Sequence, residues 1–267
     1  MTSDRNFDPV FEKFQRRIKN SDKGRLRGIL IREDLETYVP GFRERSLEVL
    51  DAGAGLGDMS LWLAEAGHQV TARDISSKMV AHTTELAAQK GLSHRVNAAV
   101  GSAQDALSEG RSYDLICMHA VLEWLVEPYA IPKLLKNSLK EGGMISLTFY
   151  NLHRSVFNSL IKGSFRRVLK GDFSGSSNPL TPPSPVLPER LLEELAAADF
   201  VTTFHGGLRC FYDYVPDKKT LEEHRFEDLL TLERRYRTQA PYRDIARYVH
   251  IIARYQPEAL PKTAKNS

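Results

Sequence analysis

Two amphipathic stretches open the chain. Phe7, Val10, Phe11, Phe14 and Ile18 recur at helical spacing over 7–20. Leu26, Ile29, Leu30 and Val39 do the same over 24–39, and Pro40 and Gly41 close this second helix. Leu47, Val49 and Leu50 then predict a short buried strand that runs into Gly53, Gly55 and Gly57. Beyond the glycines, helices and strands alternate. Met59 to Ala66 reads as a helix stopped by Gly67, 70–75 as a strand, and 76–90 as a helix ended by Gly91. A strand at 96–100, an apolar strand at 113–120, a helix at 128–140 ended by Gly142 and Gly143, and a strand at 144–151 follow. This alternation predicts an α/β fold with a parallel sheet covered on both faces, and right-handed crossovers make it doubly wound.

After residue 151 the rhythm changes. Residues 153–170 form a basic amphipathic stretch. Residues 171–188 hold five prolines and read as a loop. A helix is predicted at 189–198, a β-hairpin over Val201–Tyr214 turning at Gly206 and Gly207, and a helix of mixed charge at 218–238. The segment 241–256 ends in an apolar last strand, VHIIARY. No internal repeat is visible.

Composition narrows the class. With 267 residues, the chain suits one large domain or one domain with additions. A hydrophobic share of 42% and a charged share of 27% exclude general disorder. Two cysteines, Cys117 and Cys210, exclude a disulfide framework and a four-thiolate zinc site, and no metal site is expected. No apolar run approaches the roughly 20 residues of a membrane span. The N-terminal segment mixes acids and bases and lacks the pattern of a secretory signal. These features lead us to expect a cytoplasmic protein with no membrane partner.

The net charge of +3 is unevenly spread. Residues 1–45 carry 11 basic and 8 acidic side chains, 46–150 carry 8 and 12, and 151–267 carry 18 and 14. An acidic middle is thus flanked by basic ends. Residues 151–171 hold Arg154, Lys162, Arg166, Arg167 and Lys170 and no acid. Such a cluster suits phosphate contacts or a solvated helix face with counter-charges elsewhere.

The sharpest motif is Asp51-Ala-Gly53-Ala54-Gly55-Leu-Gly57, between a strand and a helix. Glycines there let the backbone turn tightly and approach a ligand at the carboxyl ends of the strands. A dinucleotide fingerprint would place its third glycine at position 58, which is Asp58. An acid there repels a pyrophosphate at a helix N-terminus. Asp74 ends the next strand and can accept hydrogen bonds from both hydroxyls of a ribose. S-adenosylmethionine, a nucleoside with a sulfonium and no phosphate, fits this pattern better than a dinucleotide.

Asp51, the glycine loop, Asp74, Asp105 and the strand YDLICMHAVLEW together resemble class I S-adenosylmethionine-dependent methyltransferases over roughly 45–151 and the later strands. The segments DRNFD, KGRLR, HAVLEWL, TFYNLH, GLRCFYDY, LERRYR and YRDIARYVHIIAR extend the likeness along nearly the whole chain. There the sequence resembles bacterial tRNA 5-carboxymethoxyuridine methyltransferases. That resemblance implies a mostly parallel, seven-stranded, Rossmann-like methyltransferase sheet. It divides the chain into N-terminal helices at 1–45 and a methyltransferase domain at 46–267, with a basic insertion at about 152–188. It implies methyl transfer from S-adenosylmethionine to the carboxylate of a wobble-uridine modification in a tRNA anticodon loop.

The resemblance also assigns residues. Arg27 reaches the cofactor carboxylate, Asp51 lies near its cationic part, and Gly53, Ala54 and Gly55 meet it through the backbone. Asp74 holds the ribose, Ala103 and Gln104 flank the adenine, and His119 lies near the methionine end. Ala54 stands where relatives often carry glycine. Structural alternatives exist for Arg27, Asp74, His119 and Asp105: a surface arginine, a strand-end cap, a core histidine and a helix cap.

Transfer to a carboxylate needs no general base, because the unperturbed pKa is roughly 4. It needs alignment, exclusion of water and a group that anchors one carboxylate oxygen while the other attacks. Arginine offers the best fork for this. Arg209 is the main candidate, with a salt bridge as its structural alternative, and Tyr150 suits substrate contact and core packing equally. Arg154, Arg166, Arg167, Lys170 and Arg235, with aromatic neighbours, are the candidate RNA contacts. Two other functions remain open at this stage: a small-molecule carboxyl or phenol O-methyltransferase, and a catalytically silent tRNA-binding protein on the same fold.

Overall fold

The computed structural model describes residues 8, 11–12, 21–173, 182–216 and 221–257. Most of the helix expected at 7–20, and the middle of the proline-rich loop, lie outside the described residues. The chain runs through α1 (Asp22–Tyr38), β1 (Glu48–Ala52), α2 (Asp58–Glu65), β2 (Gln69–Asp74), α3 (Ser77–Gln89), β3 (Val96–Val100) and α4 (Ala103–Ala106). It continues through β4 (Tyr113–His119), α5 (Ile131–Asn137), β5 (Leu139–Tyr150), α6 (Leu152–Ile161) and α7 (Phe165–Leu169). The last elements are α8 (Pro188–Ala197), β6 (Phe200–Leu208), α9 (Glu223–Tyr236) and β7 (Tyr248–Tyr255).

The seven strands form one sheet in the order β3-β2-β1-β4-β5-β7-β6. Neighbours from β3 to β5 pair in parallel, and β7 runs antiparallel to both β5 and β6. The central strands are apolar on both faces, as parallel strands covered by helices must be. In β4, Leu115 and Cys117 enter one core cluster and Ile116 and Met118 the other. The first cluster is completed by Leu26, Leu30 and Leu35 of α1, Leu63 of α2 and Phe226 and Leu230 of α9. The second is completed by Leu135 of α5 and Leu191 and Leu195 of α8. The expected doubly wound, mostly parallel seven-stranded sheet is present.

Two local expectations are corrected. The region 201–214 is not a hairpin: β6 runs straight through Gly206 and Gly207 and pairs with β7 along its length. The glycines serve close packing instead of a turn. A Cβ at Gly207 would sit 2.6 Å from Cβ of Ala246 and 2.7 Å from Sγ of Cys210. The helix expected to reach residue 140 ends at Asn137, and β5 begins at Leu139. Gly142 and Gly143 therefore lie inside the long strand, where sequence punctuation alone reads them as a helix stop.

The topology gathers the carboxyl ends of β1, β2, β4, β5 and β6 and the amino end of β7 on one rim. Tyr150 pairs with Tyr248, and Leu208 pairs with Tyr248 from the other side. Every candidate catalytic and cofactor residue lies on this rim or on α1 and α4 beside it.

Candidate active site

The glycine loop leaves β1 with three left-handed residues, Gly53 at φ +79°, Gly55 at +56° and Gly57 at +77°. A Cβ at Gly53 would meet Val121 Cγ2 at 2.4 Å, whereas one at Gly55 would point into open space. Gly53 is thus needed for packing, and Gly55 presents bare backbone to a ligand. The amides of Gly53 and Ala54 donate to the Arg73 carbonyl at 2.7 and 3.0 Å. Their contribution to a bound cofactor is therefore confined to carbonyl oxygens and van der Waals contact.

Asp74 closes this loop from β2. Its Oδ2 accepts from the Gly55 amide at 2.8 Å and its Oδ1 from the Ser76 amide at 2.9 Å. Each oxygen keeps a lone pair for a further donor, which suits a pair of vicinal hydroxyls. Burial raises its pKa, against the pull of those two amides. A cleft lined by Ala54, Gly55, Asp74, Val80 and Thr83 adjoins the carboxylate. Asp8 reaches over the start of α3, accepting from the Ser76 hydroxyl and from the Lys78 amide at 3.2 Å.

Asp51 is 2% exposed, and its pKa is raised to about 6, chiefly by burial. The Ser60 hydroxyl donates to it at 2.5 Å. A cation nearby would favour its ionised form. Ala103 begins α4 and is nearly buried, with Gln104 beside it. Asp105 is engaged in a capping box with Ser102, so it acts as the helix cap that its spacing also allowed.

His119 sits at the head of a buried polar chain. Its Nε2 lies 2.8 Å from Ser146 Oγ, which lies 2.9 Å from His250 Nε2. His250 Nδ1 is 2.7 Å from Asp34, and Arg237 donates to the same carboxylate at 2.9 Å. Burial and neighbouring positive charge hold His119 well below the ordinary imidazole range, and burial lowers His250 as well. These shifts favour neutral rings at pH 7, and for neutral rings the chain assigns the tautomers. Asp34 only accepts, so His250 carries its proton on Nδ1 and accepts at Nε2 from Ser146. Ser146 then accepts from His119 Nε2–H, and Nδ1 of His119 is left as a buried lone pair with no hydrogen-bond partner. An acceptor in this place suits an ammonium group and cannot serve as a proton donor.

Arg27 lies 5.5 Å over the Tyr248 ring, and its charge acts on both His119 and Glu123. Glu123 is a functional candidate that the sequence reading missed. It is fully buried, and burial pushes its pKa up to about 7. The amides of Glu123 and Tyr150 pull it down, though neither carboxyl oxygen makes a hydrogen bond of full geometry. Its only signal in the sequence is an acid inside the apolar run AVLEWL.

Arg209 follows β6 in a left-handed conformation, φ +61°. Such strain persists only where surrounding contacts enforce it. Glu233 of α9, fully buried, does so by accepting from the amides of Cys210 and Phe211, both at 2.9 Å. The Arg209 guanidinium is 8% exposed, donates to Asp213 at 2.5 Å and lies over the rings of Tyr212 and Tyr248. Tyr150 ends β5, edge-on to Tyr248 with centroids 5.7 Å apart. The structure thus brings Arg27, His119, Tyr150 and Arg209 to one rim.

Arg154 does not belong with the exposed cations of this stretch. It is 4% exposed, with its guanidinium 4.7 Å over the Tyr214 ring, because it falls on the inward face of the first turn of α6. Arg166, Lys170 and Arg235 are exposed, and Arg167 is half-buried, its Nε donating to the Asp172 carbonyl. The same helices expose Phe157, Leu160, Ile161, Phe165 and Leu169. Among the described residues no helix is long and apolar enough to cross a membrane, and no cluster of His, Cys, Asp and Glu could hold a metal ion.

A seven-stranded sheet with one reversed strand, a glycine loop after β1 and a buried aspartate ending β2 are the features of a class I S-adenosylmethionine-dependent methyltransferase. A methyltransferase domain family matches residues 49–143. Magnesium protoporphyrin IX methyltransferase from Synechocystis PCC 6803, solved with bound SAH, superposes over 94% of this chain and 96% of its own, with a TM-score of 0.63 at 18% identity. The [4+2]-cyclase SpnF shares the fold at a TM-score of 0.57 and 21% identity, over 85% of this chain and 81% of its own. The tRNA 5-carboxymethoxyuridine methyltransferase of Escherichia coli K12 is 36% identical over 260 residues, 97% of this chain and 99% of its own. The ubiquinone biosynthesis O-methyltransferase of Xanthomonas axonopodis pv. citri is 31% identical over 43% of this chain and 48% of its own. The chain belongs to the tRNA 5-carboxymethoxyuridine methyltransferase family, and its methyl donor is S-adenosylmethionine.

Proposed function

We propose that the protein transfers a methyl group from S-adenosylmethionine to the carboxylate of 5-carboxymethoxyuridine at the tRNA wobble position, forming the methyl ester. The observation that carries this reading is the 36% identity over 97% of the chain, flanks included, to the Escherichia coli enzyme. The ubiquinone-pathway relative aligns with less than half of the chain, which supports no more than the common methyltransferase core.

Arg27, Asp51, Gly55, Asp74 and the lone pair of His119 would hold the methyl donor, with Ala103 and Gln104 toward the adenine. The donor supplies an electrophilic methyl group with a good leaving group already in place. The protein's part is to exclude water and to align the acceptor. A carboxylate is ionised at neutral pH, so the neutral His119 has no proton to remove. Arg209 anchors one carboxylate oxygen and the Tyr150 and Tyr248 rings wall the approach. Arg166, Arg167, Lys170 and Arg235 meet the anticodon-loop phosphates, and Phe165 offers a stacking surface for a splayed base.

Affinity for tRNA is the test of this reading against a small-molecule methyltransferase. Each phosphate neutralised on a single strand contributes a slope of about −0.7 to the plot of log affinity against log salt. The wild type should show a steep negative slope, and Arg166→Gln with Lys170→Gln should flatten it by about 1 to 1.5. A salt-independent interaction, or methyl transfer to a free acid in preference to tRNA, would reject the RNA reading. Binding of tRNA without any turnover would favour the silent scaffold.

A further inference from the structure

The rim beyond Arg209 holds two more arginines that the cofactor assignment leaves without work. Arg247 precedes β7, with Nη1 3.9 Å from Asp213 Oδ1, the oxygen that also accepts from Arg209 at 2.5 Å. Its guanidinium lies 5.2 Å over the Tyr150 ring. Arg154 lies over Tyr214, and that phenol feels the charges of Arg154, Asp213 and Arg247 together. Two guanidinium groups, those of Arg209 and Arg247, therefore share one carboxylate, and that of Arg154 lies beside them over Tyr214. Nε and Nη1 of Arg154, Nε of Arg209 and Nε of Arg247 are all buried without a hydrogen-bond partner. Buried cations are ordinarily paired; Arg154 and Arg209 are buried and Arg247 is part-exposed, and among the described residues Asp213 is the one acid in ion-pair contact with this cluster.

The fold also holds the cluster in place through its backbone. Asn151, fully buried, caps α6 through the His153 amide at 3.0 Å. Its side-chain amide donates to the carbonyls of Asp244 and Ala246 at 2.9 and 3.0 Å. One residue thus fixes both the helix that carries Arg154 and the turn that delivers Arg247. The cofactor arginine is a single ring away: Arg27 lies 5.5 Å and Arg209 6.0 Å from the Tyr248 ring centre.

We propose that Arg154 and Arg247 complete, with Arg209, a preformed socket for the oxyacetate carboxylate of the substrate nucleotide, with Asp213 as a resident counter-ion that sets its strength. This rests on the functional reading above and adds to it the residues that select a carboxylate-bearing wobble base. Arg154, expected from the sequence to face RNA phosphates, becomes a reader of the modification itself. Asp213 leaves the socket cationic yet keeps it from holding the carboxylate so tightly that its attacking oxygen loses reactivity.

The test compares affinity for one tRNA prepared in two forms, with 5-carboxymethoxyuridine or with 5-methoxyuridine at the wobble position, in the presence of S-adenosylhomocysteine. The wild type should bind the carboxylate form at least tenfold more tightly. Arg154→Gln and Arg247→Gln should each reduce that ratio at least threefold and raise KM more than they lower kcat, with S-adenosylhomocysteine affinity unchanged. Asp213→Asn should move the ratio the other way, a sign that loss of packing does not produce. An undiminished ratio in the two glutamine variants, or a reduced one in Asp213→Asn, would overturn the socket while leaving the function standing. A wild type that methylates neither form and shows no preference would overturn both.

Discussion

Arg209→Ala should lower turnover on modified tRNA about 10²- to 10³-fold while changing the cofactor dissociation constant less than about threefold. Truncating one member of a buried, hydrogen-bonded charge pair costs about 2–5 kcal/mol, or about 30- to 5,000-fold, which brackets that range. The side chain is enclosed and lies over Tyr212 and Tyr248, while Asp74 and Gly55 lie across the sheet, at the end of β2 and in the loop after β1. The loop should keep its shape, because Glu233 holds it through the amides of Cys210 and Phe211. Arg209→Lys retains the charge but loses the two-pronged geometry, so it should fall between wild type and alanine. Steady-state kinetics with saturating cofactor measures this. Turnover within threefold of wild type in the alanine variant would remove Arg209 from the role of anchor.

Asp74→Ala should weaken S-adenosylmethionine binding about 100-fold. A hydrogen bond to a charged acceptor contributes about 1.5–3 kcal/mol, and this carboxylate offers two remaining acceptor positions to a ribose. Asp74→Asn keeps one acceptor oxygen and should cost about tenfold, in line with the loss of one such bond. The alanine variant also strands the amides of Gly55 and Ser76. Thermal unfolding without cofactor separates that structural cost from the lost binding. Calorimetric titration giving a wild-type dissociation constant would reject the ribose role.

The sheet and its cofactor end were legible in the sequence because each depends on local, short-range rules. Apolar strands alternating with helices fix the layers, and a glycine triplet between a strand and a helix fixes the crevice. Asp74 is readable because it ends a strand whose neighbour carries the loop. The misread elements fail where the deciding contact is distant in sequence. Gly206 and Gly207 look like a turn until β7 is seen to pair along them and Ala246 to crowd Gly207. Arg154 looks like one more cation of a basic helix until its turn is placed against Tyr214. Asp34, Ser146 and His250 come from α1, β5 and β7, and no spacing announces that they join His119 in one chain. Glu123 and Arg247 likewise gain their meaning from tertiary burial, which composition does not report.

The most direct measurement supplies the protein with methyl-labelled S-adenosylmethionine and two pools of total tRNA, one from cells that make the carboxymethoxy modification and one from cells that do not. Label should enter the modified pool alone, and mild alkali should release it as methanol, the signature of a methyl ester. Equal labelling of both pools, or label that resists alkali, would contradict carboxyl methylation of the wobble uridine.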